Sequence, residues 1–236
     1  MEFDVPFKYF VFDNFLKESE AEELSNEFAP FDSKEWFSYE NPLEIKKTIH
    51  NWYSFPPLSY KFLSHLNSEI FIDGIKDLTG TQNLYCDQGL HGGGWHIHGR
   101  GGKLNIHLDY EIHPKLNLLR KYNLILYLSK EWDPKWGGNL EFWSHDETNN
   151  SPKEKMVTID CKFNRAVLFD ASQNSWHGFS DPIDCPVGMY RKSIATYYLT
   201  DLPNNIQNRK RALYSPAENQ KNDKEILELI TKRSSV

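Results

Sequence analysis

The chain has 236 residues, of which 25% are charged and 14% aromatic, with seven Trp and a formal net charge of −6. That composition excludes wholesale disorder and lacks the basic field of a nucleic-acid binder. Three scattered cysteines, Cys86, Cys161 and Cys185, make neither a disulfide framework nor a Cys-type zinc site.

A reducing compartment fits that cysteine usage. The N-terminus has acids early and no basic region before its apolar residues, so no signal peptide is read. No apolar run reaches the roughly 20 residues that span a bilayer. The expectation is a cytoplasmic protein without nucleic-acid or membrane partners.

In chain order, KYFVFDNFL (8–16) reads as a short strand ending at Asp13-Asn14. KESEAEELSNEFAPF (17–31) reads as a helix, with acids in its first turn and Pro30 beyond its end. SYKFLSHLNSEIFIDGIKDLTG (59–80) carries apolar residues at helical spacing and stops at Gly80. Beyond Gly80 the texture changes. Short β-rich segments follow one another, separated by Gly, Pro, Asn and Asp, among them KLNIHLDYEIH, KYNLILYLS, GNLEFWSH, KMVTIDCKFNRAVLFD and RKSIATYYLT. Strands at this spacing predict an all-β sandwich or barrel.

The expected fold is therefore α+β, mainly β, with N-terminal helices packed on one side of the strand-rich core. We expect one domain over 1–201, with helical support over 17–80 and the core over about 81–201. The polar residues 202–236 form an extension, in which KEILELITKR (224–233) is compatible with one helix. NRKR (208–211) reads as solvated surface.

His107 and Asp109 stand two residues apart in a strand-like stretch, so both side chains leave one face. A metal held there needs a third ligand. His113, the His96/His98 pair and the distant His177 are the candidates. His177 follows the strand-like RAVLFD and begins a loop, and it is the preferred choice. Two His and one carboxylate on one face of an octahedral ion leave three positions open, the geometry of non-haem Fe(II) oxygenases. A cupin pairing of His96 with His98 wants a Glu four to five residues later, where Gly102 and Lys103 stand.

From GGGWHIHGRGGKLNIHLDY (92–110), through RKYNLILYLSKEWDPKWGGNLEFWSHD (120–146), to NRAVLFDASQNSWHGFSDPIDCPVGMYRKSIATYYLTD (164–201), about 110 residues resemble the 2-oxoglutarate/Fe(II)-dependent oxygenases of the prolyl 4-hydroxylase type. DNFL near the N-terminus also fits. The resemblance implies a double-stranded β-helix, the jelly-roll or cupin-like core, and assigns His107, Asp109 and His177 as iron ligands. It implies Fe(II), 2-oxoglutarate and O2, and hydroxylation of an aliphatic C–H coupled to decarboxylation of 2-oxoglutarate to succinate and CO2. Asp109 favours hydroxylation over halogenation, because halogenating relatives lack that carboxylate.

The distal carboxylate of 2-oxoglutarate needs a buried cation, since an unpaired buried charge is costly. By resemblance Arg191 supplies it, with Ser193 on the same strand face and Tyr127 touching the same carboxylate. The interval from His177 to Arg191 is longer than in many prolyl hydroxylases, which implies a longer loop at the mouth of the site.

The stretch GLHGGGWHIHGRGG (89–102) is half glycine and is read as a substrate loop, with Trp95, His98 and Arg100 as candidate contacts. Asn139 is a further candidate. The substrate is a small molecule or a peptidyl group, prolyl among them. A catalytically inactive metal-binding jelly-roll module and a non-oxygenase cupin-type metalloenzyme are the competing readings.

Overall fold

The structure, a computed structural model, describes residues 1–172, 174–204, 209 and 211–234; of NRKR only Arg209 and Arg211 fall within it. The N-terminal part holds β1 (Glu2–Phe3), β2 (Tyr9–Phe12), α1 (Glu18–Glu27), β3 (Phe37–Asn41), β4 (Glu44–Ile49), α2 (Pro57–Leu66) and α3 (Glu69–Thr79). Then come β5 (Tyr85–Cys86), β6 (Gly94–His98), β7 (Lys103–Leu108), β8 (Leu119–Tyr127), β9 (Leu140–Asp146) and β10 (Ser151–Ile159). They are followed by β11 (Arg165–Asp170), β12 (Trp176–Phe179), β13 (Arg191–Thr200), β14 (Leu213–Tyr214) and α4 (Lys224–Ser234). None of the described helices is long and apolar enough to cross a membrane.

The strands form a curled antiparallel sheet in the order β1-β2-β11-β8-β13-β6-β4-β7-β12-β9-β10. Alternation along the central strands explains its two-sided core. On β11, Ala166 and Leu168 pack toward the helices, while Val167 and Phe169 face the opposite limb of the sheet. On β8, Leu124 and Leu126 join the helix-side core and Tyr127 the other. Such strands are buried on both faces, so RAVLFD reads as a nearly continuous apolar run. The helix-side core takes Ala21 and Leu24 from α1, Leu63 and Leu66 from α2, and Ile72 and Ile75 from α3. This is the mainly-β jelly roll with helices on one side that the sequence led us to expect.

Three local expectations change. The stretch 59–80 contains two helices. Asn67 ends α2, and Ser68 restarts the chain by accepting from the Phe71 N–H at 3.4 Å. A side-chain oxygen at the N-cap satisfies a donor that a continuous helix would have bonded internally.

The glycine-rich 89–102 is not all loop. Gly94–His98 is a strand paired on one side with β13 and on the other with β4. The sequence reading also left 32–58 without an element, and the β3–β4 hairpin lies there. Its turn is set by Asn41, whose Oδ1 accepts the N–H groups of Leu43 and Glu44 at 3.0 and 3.2 Å. Its charged residues hid it: Glu44 and Lys46 alternate with Ile45 and Lys47, giving no apolar face.

Candidate metal centre and cosubstrate cavity

β7 and β12 run antiparallel with His107 directly opposite His177, and Asp109 follows the end of β7. One ligand atom from each of the three lies within 4.8 Å of the others. Gly178 makes this approach possible. A Cβ there would stand 2.8 Å from the carbonyl oxygens of both Leu104 and Asn105, and its φ of +150° disfavours other residues.

The two imidazoles are oriented alike. Nδ1 of His107 lies 2.9 Å from the Asn105 carbonyl, and Nδ1 of His177 lies 2.9 Å from the Ser175 carbonyl. A carbonyl can only accept, so each Nδ1 carries the proton and each Nε2 presents a lone pair. Those lone pairs face Asp109: Nε2 of His107 is 3.7 Å from Oδ1, and Nε2 of His177 is 3.9 Å from Oδ2. Oδ2 is buried without a hydrogen-bond partner among the described residues. Three electron-rich atoms converging in a buried space are mutually repulsive unless a cation sits between them. The donor set of two imidazoles and one carboxylate suits a divalent iron ion.

Burial pushes the Asp109 carboxyl up, but the nearby Arg120 guanidinium outweighs it and holds the group well below the usual carboxylate range. Burial and the neighbouring His107 ring bring His177 down to about 4. The centre thus presents an ionised carboxylate and a neutral His177 at neutral pH.

The triad opens into a cavity of about 240 Å³. Arg191 and Ser193 on β13 line it, opposite His98 and His96 on β6. Arg191 is 5% exposed and forms no ion pair with any described residue. Its Nε donates to the Gly138 carbonyl at 2.7 Å and lies 3.1 Å from Cys161 Sγ. Gly138 permits that contact, because a Cβ there would stand 2.9 Å from Arg191 Cδ. The guanidinium carbon sits 5.0 Å from the Tyr127 ring centroid and 5.4 Å from that of Phe179. Tyr127 Oη is buried without a partner among the described residues. A buried cation without a carboxylate, flanked by a free hydroxyl, is a receptor for a small anion.

Residues 93–199 match the 2OG-Fe(II) oxygenase superfamily. The match covers 107 of the chain's 236 residues. Members of that superfamily use Fe(II), 2-oxoglutarate and O2. A Pseudomonas putida prolyl-4-hydroxylase is similar in structure, with a TM-score of 0.58 and 15% identity over 82% of this chain and 92% of that one. A prolyl hydroxylase from Trichoplax adhaerens, solved with a peptide of the hypoxia inducible factor oxygen degradation domain, gives 0.57 and 18% over 81% and 83%. HygX from Streptomyces hygroscopicus, with nickel, 2-oxoglutarate and hygromycin B bound, gives 0.55 and 12% over 85% of each chain. At these identities the likeness is one of fold. No curated protein sequence matches the chain.

His107, Asp109, His177, Arg191, Ser193 and His98 all line one cavity. Trp95 does not. It is 1% exposed and stacks on Phe28 with centroids 4.6 Å apart, on the helix side of β6. Strand alternation sends Trp95 and Ile97 to the core and His96 and His98 to the cavity. Arg100 also lies outside it, paired with Asp184 at 2.5 Å in the turn after β6. Asn139 is likewise elsewhere, its Nδ2 donating to the Pro134 carbonyl and its Oδ1 accepting from the Cys161 N–H.

Sequence reasoning missed Arg120, Glu44, Lys46, Tyr214 and Arg233, which also line the cavity. Arg120 escaped for a specific reason. Strict alternation from Tyr127 would turn it outward. A bulge at Lys121, where Tyr198 pairs with Tyr122 and Leu199 with Arg120, turns it inward.

The described residues beyond 201 cover the centre. β14 pairs with β7, and Tyr214 stacks on His107 at 5.2 Å and 20°. Arg209 Nε donates to the Asp109 carbonyl at 2.9 Å. From α4, Arg233 reaches Glu44 at 2.5 Å.

Proposed function

We propose that this protein is an Fe(II)- and 2-oxoglutarate-dependent dioxygenase that hydroxylates an aliphatic C–H. Convergence of the His107 and His177 Nε2 lone pairs on the ionised Asp109, whose Oδ2 has no hydrogen-bond partner among the described residues, supports this reading most directly. His107, Asp109 and His177 would hold the iron. Arg191, with Tyr127 and Ser193, would hold the distal carboxylate of 2-oxoglutarate. When bound, iron and cosubstrate use O2 to replace an aliphatic hydrogen by hydroxyl, 2-oxoglutarate leaving as succinate and CO2.

The chain's own residues contribute orientation and exclusion. Carbonyls of Asn105 and Ser175 lock both imidazoles, so no ring flip precedes metal binding. Arg120 keeps Asp109 ionised. Phe179 and Tyr214 wall the cavity with aromatic surface and restrict water. Residues 1–201 would form the oxygenase domain, and the extension would complete its cover. The similar structures named above were solved with a peptide and with an antibiotic, so both peptidyl and small-molecule substrates come into consideration.

The test is succinate formation by protein supplied with Fe(II), 2-oxoglutarate and O2, alongside His107→Ala. Metal-dependent succinate in the wild type alone supports the reading. If metal-loaded protein fails to bind 2-oxoglutarate by calorimetry, the reading is wrong, and an inert binding module or a cupin-type metalloenzyme replaces it.

A further inference from the structure

Arg120 is the residue whose surroundings the proposed chemistry leaves unexplained. It is 1% exposed and lies on the cavity wall. Tyr110 and Tyr197 sandwich it, their ring centroids 3.6 and 3.5 Å from the guanidinium carbon. Nη2 is occupied, donating to the His91 carbonyl at 2.6 Å and to Tyr110 Oη. Nε is buried without a hydrogen-bond partner among the described residues. Nη1 stands 3.6 Å from Asp109 Oδ2, beyond hydrogen-bond reach.

Two stacked faces fix the plane of the group, so the donors left over stay aimed. Asp109 is the only carboxylate with which Arg120 pairs among the described residues. A divalent ion in the triad would draw on that same carboxylate and leave the guanidinium buried without a full counter-charge. Buried charges of this kind need a partner.

The charge of the whole cavity points the same way. Its walls carry four cationic side chains, Lys46, Arg120, Arg191 and Arg233, against two carboxylates, Glu44 and Asp109. Glu44 is bonded to both Lys46 at 3.2 Å and Arg233 at 2.5 Å. His96 is held neutral by burial and by Lys46, and His98 by burial and by Arg191. A divalent ion and a dianionic 2-oxoglutarate cancel one another, so the loaded cavity keeps its positive excess.

We propose, on the oxygenase reading above, that the primary substrate is a carboxylic acid whose carboxylate seats on Arg120. Because Arg120 lies beside a metal ligand, the oxidised C–H is within a few bonds of that carboxylate. Free amino acids and related small acids satisfy this chemistry. A residue inside a peptide, with its carboxyl group in an amide bond, does not.

The experiment uses full-length protein loaded with Mn(II) and saturated with 2-oxoglutarate, whose binding is measured by calorimetry on the same samples. Propionate and propionamide are then titrated in, and paramagnetic broadening of their methyl proton signals is read by NMR against a Zn(II) blank. Propionate should bind at least about tenfold more tightly than propionamide, the yield of a charge-assisted hydrogen bond. Arg120→Gln should abolish the difference, and Arg120→Lys should keep part of it.

Equal broadening by acid and amide in the wild type overturns the proposal. So does an undiminished propionate excess in Arg120→Gln, which would put the carboxylate on the metal itself. If Arg120→Gln does not fold, the wild type and Arg120→Lys decide. Were Arg120 only a prop for Asp109, its variants would weaken Mn(II) binding, and the wild type would show no preference for the acid. Failure of 2-oxoglutarate to bind the wild type strikes the oxygenase reading instead.

Discussion

The two sides of the cavity are built by different means. The floor, on β6, β7, β8, β12 and β13, is backbone work. His107 faces His177 by strand register, and each ring is locked by a carbonyl two residues before it on its own segment. The cover, from the β3–β4 hairpin and the residues beyond 201, is held largely by side chains distant in sequence. Arg233 bonds Glu44, Arg209 bonds the Asp109 carbonyl, and Asn105 bonds Gln220. A floor made of ladder bonds and apolar packing is rigid. A cover held by side-chain hydrogen bonds and the Arg233–Glu44 ion pair can be weakened by salt, pH or a single substitution without unfolding the sheet.

The largest effect should come from the floor. Asp109→Ala removes the only carboxylate of the triad. Metal affinity, followed calorimetrically with Co(II) or Fe(II), should fall by more than about 100-fold, since even supporting residues of metal sites cost up to that much. The thermal stabilisation that metal confers on the wild type should disappear with it. A variant that still bound metal as tightly would place the centre elsewhere.

Arg191→Gln comes next. It leaves a cosubstrate carboxylate buried without its cation, a loss worth about 3–5 kcal/mol. The Kd for 2-oxoglutarate should rise about 100-fold or more while metal affinity holds. If metal affinity fell equally, Arg191 would be serving the centre rather than the cosubstrate.

The same contrast explains what the sequence disclosed. His-x-Asp is a periodic feature of the floor, which a sequence displays, while the roles of His177 and Arg191 rest on the family resemblance. Strand periodicity after Gly80 discloses a β-rich sandwich or barrel, and the family resemblance narrows it to a jelly roll. The misreadings have local causes. Trp95 stands beside glycines, and that composition makes WHIH read as loop. Its alternation, aromatic and aliphatic against two histidines, was the signal that would have sent Trp95 to the core. Arg120 was hidden by one bulge. The cover was illegible because Glu44, Tyr214 and Arg233 meet only in three dimensions, across sequence gaps that no pattern spans.

Trp95→Ala tests the reassigned tryptophan. As a core residue packed against Phe28, Trp36 and Phe55, it should cost about 3–5 kcal/mol of stability, or roughly 10 °C in Tm for a chain this long. The Kd for 2-oxoglutarate should be unchanged. A substrate contact would give the reverse pattern.

Glu44→Gln tests the latch of the cover. Burial alone would raise this carboxyl, but Lys46 and Arg233 bring it down to about 2. A depressed carboxyl stabilises the fold above its unfolded value of 4.5 and loses that contribution as pH falls toward 2. At pH 7 the variant should lose up to about 3 kcal/mol, less some screening at the partly exposed Arg233. Urea unfolding at pH 3 should shrink the difference between the two proteins by roughly half or more. A gap independent of pH would mean that Glu44 acts through packing and not through its charge.

The smallest effect belongs to the point where cover meets floor. Tyr214 adds no ligand, yet its ring lies nearly parallel to the His107 imidazole, and its strand extends the sheet edge of β7. Tyr214→Leu keeps the apolar volume and removes the flat partner. His107 would retain its Asn105 hydrogen bond, so metal affinity should drop by about tenfold at most, the low end for groups supporting a metal ligand. Dissociation of metal should quicken by a similar factor, because the ring loses a wall against which it is held. If Tyr214→Leu left both affinity and dissociation untouched, the cover would be a lid resting on a finished centre. A measurable loss makes the extension part of the centre's construction, with His107 held from below by a carbonyl and from above by a ring.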